Sequence, residues 1–396
     1  MQSFKIIFVC FFLVSCSNNL NEERVAFVYS LFSGSEQSQY FGRITEMFPI
    51  STLEKSDSPL VFKNAPLIDL PAMFAFNGNR IDVEKYLSRS DTSALLILQD
   101  GEITYENYWL TGRKDQPWLS MSVSKSFISA LIGIAIDQGY IRSVEDDVTD
   151  YVSSLKQSSY DGVRIKDILQ MSSGASWNEN YSDPNADIFR SAEIMAIGGS
   201  LDDLAASLKK DFLPGSFNRY NSTDTQVLGM LLRDATGMPV TEYMQKMLWD
   251  PIGAEYNGYW VLDSENMEMA YGGLNATARD YAKIGELYRL RGKLNGNQIV
   301  PSSWVEDSLL TDAPHLMPGE NPLSDYPMGY GYQWWIPDLS GDFLAIGVYN
   351  QFIYISPKNN LVVVKLSANS AYGTSEEVST LSEFEAIEFF KSIAHQ

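Results

Sequence analysis

Ser122-Val123-Ser124-Lys125 decides the reading of this chain, because the apolar run Phe127, Ile128, Leu131, Ile132, Ile134 and Ile136 follows it directly. Apolar residues on nearly every face predict a buried helix over 122–141, with Gly139 marking its C-terminus. Positions i and i+3 lie on one helix face about a turn apart, so Ser122 and Lys125 stand side by side. A neutral lysine amine there can take the serine proton and make a nucleophile without histidine. Only two histidines are present, His315 in a Pro-flanked loop and His395 beside the C-terminus, which leaves a Ser-His-Asp triad little to work with.

Two other Ser-x-x-Lys matches, Ser153 to Lys156 and Ser207 to Lys210, lie in polar surroundings and read as solvated faces. Burial is what separates the match at Ser122 from them. A lysine with a pKa of about 10.4 is charged at neutral pH, and desolvation is what brings it within reach of a base's task.

Outward from this helix, the period of the pattern changes toward both ends. Residues 94–98 and 103–105, joined by Asp100-Gly101, read as a β-hairpin. Residues 343–348, 351–355 and 361–366 read as strands, the last two joined by Pro357-Lys358-Asn359-Asn360, and a final amphipathic helix is expected over 382–394. Residues 142–300 read as mainly helical, for example 226–235 before Gly237 and 279–291 before Gly292. The fold class is therefore α/β in the α+β sense. An antiparallel sheet drawn from both chain ends is flanked by helices, a mostly helical lobe stands beside it, and the apolar helix lies between them. A cleft between lobes is a usual place for a small-molecule site.

Tyr220-Asn221-Ser222 follows Ser122 by about 100 residues and leads into Asp224-Thr225-Gln226-Val227-Leu228-Gly229. With the Ser-x-x-Lys helix start, this resembles the serine β-lactamase and penicillin-binding-protein superfamily, in its class C-like branch of esterases, D-amino-acid peptidases and 6-aminohexanoate-dimer hydrolases. Leu169 to Gly174, Gly272 to Asp280 and Gly329 to Trp335 fit the same branch, and the resemblance spans roughly residues 75 to 390. It implies a serine hydrolase that cleaves small amides or esters through an acyl-enzyme on Ser122, with Lys125 and Tyr220 as general base and no cofactor. It also implies an oxyanion hole from the N–H groups of Ser122 and Val348. Ser222, Gly347, Tyr181 and Tyr349 are candidate substrate contacts. The strand that carries Lys-Thr-Gly in β-lactamases reads Ala345-Ile346-Gly347-Val348-Tyr349 here, without the cation or the hydroxyl. A substrate lacking the antibiotic carboxylate is expected. The other readings are a D-amino-acid peptidase or weak β-lactamase of the same fold, or a non-catalytic cell-envelope binding protein.

The 396 residues are 45% hydrophobic, enough for a large core, and the net charge of −21 disfavours nucleic acid as a partner. No zinc pattern, phosphate loop or Gly-x-Ser-x-Gly elbow is present. Both cysteines, Cys10 and Cys16, lie near the start. Lys5, the apolar stretch Ile6 to Val14 and Leu13-Val14-Ser15-Cys16 resemble a bacterial lipoprotein signal, which implies lipidation of Cys16; an ordinary signal peptide is the alternative. Residues 1–16 are read as signal, 17–75 as tether and irregular extension, and 76–396 as the hydrolase domain. Within that domain the sheet lobe comes from 90–120 and 325–396 and the helical lobe from about 121–324. The expected location is the bacterial cell envelope, on the outer membrane facing the periplasm, through a lipid anchor. Trp334 and Trp335 are expected to serve packing.

Overall fold

A computed structural model describes residues 22–394; the signal segment with Cys16, and His395, lie outside them. Period-two burial assembles the main sheet. In Thr92–Gln99, residues Ala94, Leu96 and Leu98 join one core while Leu95 and Ile97 join another, so both sheet faces are covered. Asp100 and Gly101 both have positive φ, 52° and 80°, and turn the chain into Glu102–Tyr108 as a tight hairpin. Leu361–Ser367 pairs antiparallel with Thr92–Gln99. Gln351–Ser356, Phe343–Gly347, Trp335–Ile336 and Gly329–Tyr330 extend the sheet to seven strands. Strands from both ends of the sequence thus meet in the middle of one sheet, as the period-two segments predict.

Helices seal the two faces. Glu376–Ala394 lays Ala386, Ile387, Phe389, Phe390 and Ile393 over one face, starting six residues earlier than the sequence pattern indicates. Ala278–Arg289 covers the other face through Gly285, where a Cβ would come within 2.6 Å of Val362 Cγ1. The same helix is pinned by ion pairs. Arg279 grips Glu106 of the hairpin at 2.8 and 2.7 Å, and fully buried Lys283 reaches Asp280 at 2.8 Å.

The apolar helix runs Ser124–Asp137 and is buried along Ser124 to Ala135; Gly133 lets Trp304 press against its backbone. It ends at Gln138 and Gly139, the latter at φ 77°. Ser222–Thr236 packs beside it and ends at the left-handed Gly237.

Two expectations need correction. The middle of the chain is not only helical: Gly258–Val261 and Leu274–Ala276 form a second antiparallel sheet with Ile50–Leu53 and Trp118–Leu119. The N-terminal extension is not irregular either. It forms a helix over 22–30, short helices Ser38–Phe41 and Ile44–Met47, and the strand Ile50–Leu53. Phe27, Phe41, Ile44, Met47 and Leu53 are buried in the main core. Burial against the rest of the chain, rather than local periodicity, orders this segment, and it packs as part of the folded body.

Candidate active site

Strand Trp118–Leu119 leads into a one-turn 3₁₀ helix, Met121–Val123, which passes directly into the buried helix. Met121 sits at φ 48°, a left-handed conformation that costs a non-glycine residue on the order of 1 kcal/mol and is found where surrounding structure enforces it. The turn presents the Ser122 hydroxyl at the head of the helix.

Lys125, one turn further, is 1% exposed. Its Nζ lies 3.1 Å from Ser122 Oγ, 3.0 Å from Ser222 Oγ and 2.9 Å from the Tyr271 carbonyl oxygen. Burial pushes its pKa down to about 7, against the pull of Glu179 and Asp224, which favour the charged form. The donor inventory then fixes the direction of the bonds. Ser222 Oγ donates to Glu179 Oε1 at 2.6 Å, so it can only accept from Lys125. The Tyr271 carbonyl can only accept as well. The charged amine donates to all three oxygens; when it loses a proton, Ser222 Oγ and the Tyr271 carbonyl match its two remaining N–H groups and its lone pair is available to the Ser122 hydroxyl at 3.1 Å.

Tyr220 comes from the loop before the helix Ser222–Thr236. Asn221 caps that helix, its side chain accepting from the Thr223 N–H at 2.9 Å. The cap places Ser222 on Lys125 and turns the Tyr220 ring toward Nζ, 5.1 Å from the ring centroid. Trp335 stacks on Tyr220 at 5.1 Å and Tyr330 meets it edge-on at 6.1 Å. Burial raises the Tyr220 phenol well above its ordinary value, Glu179 raises it further, and the Ser122 hydroxyl opposes the rise. It is a neutral phenol at physiological pH.

Glu179 was not singled out by sequence. It accepts from the Ser222 hydroxyl, from the Ser222 N–H at 3.0 Å, from the Tyr181 hydroxyl at 2.7 Å and from the Trp177 indole. It thereby satisfies one of the orphan donors at a helix start and fixes the serine that touches Lys125. Its neighbour Tyr181 was expected in the cleft wall and lines it; Glu179 itself is one carboxylate among many with no spacing to mark it. Gln333 is a second missed residue. It accepts from Thr225 Oγ1 at 2.6 Å, donates to the Leu169 carbonyl at 2.8 Å, and its own carbonyl takes the Ser126 hydroxyl at 2.7 Å. One residue, through its backbone carbonyl and its side chain, thus ties together the helices bearing Lys125 and Ser222.

The strand Phe343–Gly347 ends beside the nucleophile. A Cβ on Gly347 would meet the Ser120 carbonyl oxygen at 2.4 Å and the Ser122 nitrogen at 3.1 Å, so Gly347 serves close backbone approach and does not line the cleft. Val348 follows it and lines the cleft with Ser122. Tyr349 does not: it was expected as a cleft wall, but it is 1% exposed, stacks on Phe32 at 5.2 Å and accepts from the Phe32 N–H at 2.9 Å. Its positive φ of 66° at the turn into Gln351–Ser356 swings the ring away from the cleft into an aromatic cluster with Phe41 and Tyr372. Trp335, by contrast, walls the cleft, while Trp334 is fully buried against Tyr288 at 4.5 Å. Lys156 and Lys210 of the two other Ser-x-x-Lys matches are exposed.

Two cavities meet at Ser122. One, of about 310 Å³, is the more polar of the two and runs past Glu179, Tyr220, Trp335, Tyr326 and Glu383. The other, of about 90 Å³, is walled almost wholly by apolar side chains. Ser122, Tyr181 and Val348 belong to both.

The Beta-lactamase family model matches residues 83–385. The chain is 31% identical over 338 residues to the 6-aminohexanoate-dimer hydrolase of Paenarthrobacter ureafaciens, covering 83% of this chain and 84% of that one. Among solved structures, a Bacillus anthracis protein provisionally named a 6-aminohexanoate-dimer hydrolase superposes with a TM-score of 0.79 at 27% identity, covering 90% of this chain and 93% of the other. A class C beta-lactamase mutant shares the fold with a TM-score of 0.57 at 14% identity, over 79% of this chain and 95% of its own.

Proposed function

On the premise that this chain belongs to the beta-lactamase family, within the superfamily of serine β-lactamases and penicillin-binding proteins, we propose that it hydrolyses small amides or esters through an acyl-enzyme on Ser122. It is a serine hydrolase of that fold. The observation that carries the finer reading is the Lys125 amine: buried, with Nζ in hydrogen-bond contact with Ser122 Oγ, Ser222 Oγ and the Tyr271 carbonyl.

In this reading neutral Lys125 takes the Ser122 proton as Oγ forms its bond to the substrate carbonyl carbon. The oxyanion is received by the N–H groups of Ser122 and Val348, which a protein fixes in advance of the reaction. As the C–N or C–O bond breaks, the Tyr220 phenol gives its proton to the leaving amine or alcohol and recovers one from the Lys125 ammonium. Water then attacks the acyl-enzyme with the same groups acting in reverse. Ser222 holds the base, and Glu179 holds Ser222. The strand beside the cleft has Ala345 and Ile346 where the cation and hydroxyl of Lys-Thr-Gly would stand, which favours linear amides or esters over β-lactams.

A fluorophosphonate probe should label the wild-type protein and leave Ser122→Ala unlabelled; a folded wild-type protein that takes no label would remove the hydrolase mechanism. The location is also a proposal: export to the cell envelope, with Cys16 lipidated. Cys16→Ser should release the mature protein from membranes and change its mass, and unchanged mass and fractionation would refute the anchor.

A further inference from the structure

We propose that the N-terminal segment builds the acyl pocket of this enzyme, and that the pocket takes a short aliphatic acyl chain. The inference rests on the acyl-enzyme reading above and adds which side of Ser122 each half of the substrate occupies.

The proton for the leaving group comes from Tyr220, and Tyr220 lines the polar cavity and not the apolar one. The departing amine or alcohol therefore lies on the polar side. The acyl half, bonded to Ser122 and directed the other way, faces the apolar cavity, whose mouth is Ser122 and Val348. One wall of that cavity is the N-terminal segment, through Val28, Leu31, Phe32 and Phe48; Ala192 and Met195 face it from the helix Ile188–Ile197. A volume of about 90 Å³ suits a short hydrocarbon chain.

The segment is held to the cleft as a built part of it. Phe32 adopts φ 61°, a conformation that needs enforcement in a bulky residue. Its ring lies 4.3 Å from Tyr181, which divides the two cavities, and its N–H is fixed by the Tyr349 hydroxyl at 2.9 Å. Gly373 provides the room: a Cβ there would come within 2.5 Å of the Phe32 ring.

The test is a series of p-nitrophenyl esters from acetate through butanoate and hexanoate to decanoate. In the wild-type protein kcat/KM should rise from acetate to the middle of the series and fall at decanoate. Leu31→Trp should lower the hexanoate-to-acetate ratio roughly tenfold or more, since one methylene in an apolar pocket discriminates by about that factor. Phe32→Ala should move the optimum to longer chains. Ala192→Phe fills the cavity from the opposite wall and should act like Leu31→Trp, which keeps the test open if changes in the N-terminal segment prevent folding. Wild-type ratios in folded Leu31→Trp and Ala192→Phe, with the wild-type protein labelled by fluorophosphonate at Ser122, would overturn the acyl pocket alone. Absence of that label from the wild-type protein would overturn the hydrolase reading instead.

Discussion

The Lys125 amine gives the site a definite pH dependence. Burial disfavours the charged form and pushes the pKa down to about 7, and only the neutral form can accept the Ser122 proton. Rate should therefore be lost as pH falls through about 7 and reach a plateau above it. A kcat/KM profile on a neutral ester should show this single rising limb, and a flat profile from roughly pH 6 to 9 would show that another group is the base. Lys125→Ala should lower acylation about 10³-fold or more in a folded protein. Ser122 and Lys125 were legible in sequence because one helical turn sets them side by side, and Tyr220 only through the resemblance that Tyr220-Asn221-Ser222 carries to the β-lactamase superfamily. Glu179 was not legible, because its role comes from a loop folded across the start of another helix.

Among the elements, the end of the strand Phe343–Gly347 sets how closely Val348 and Ser122, the two proposed oxyanion donors, can stand. Gly347 has ordinary backbone angles, so space and not conformation demands glycine there. Gly347→Ala would drive a methyl group against the Ser120 carbonyl, and either the strand end or the nucleophile turn must yield. Misplacing one oxyanion donor costs about 10² in rate. The acylation rate of the folded variant should fall by that order, and an unchanged rate would show that this contact does not position the donors. The long strands of the main sheet were readable from alternation, and the Asp100-Gly101 hairpin from its turn residues. Trp118–Leu119 and Leu274–Ala276 were not: two- and three-residue strands have no period, and only their pairing defines them.

At the scale of the whole molecule, the main sheet followed from the period-two strands at the two ends of the chain. The N-terminal segment was misread because its apolar residues are scattered. Phe27, Phe41 and Ile44 make sense only against the core they cover. The same plan has a consequence in time. Thr92–Gln99 pairs early with Glu102–Tyr108 but cannot gain its second neighbour until Leu361–Ser367 has been made, and Val348 arrives long after Ser122. Pairing so distant in sequence is slow to close. A half-finished chain holds the serine and the lysine but only one of the two proposed oxyanion donors, and only the first hairpin of the main sheet. The proposed site is therefore complete only when the strands from the end of the chain have docked.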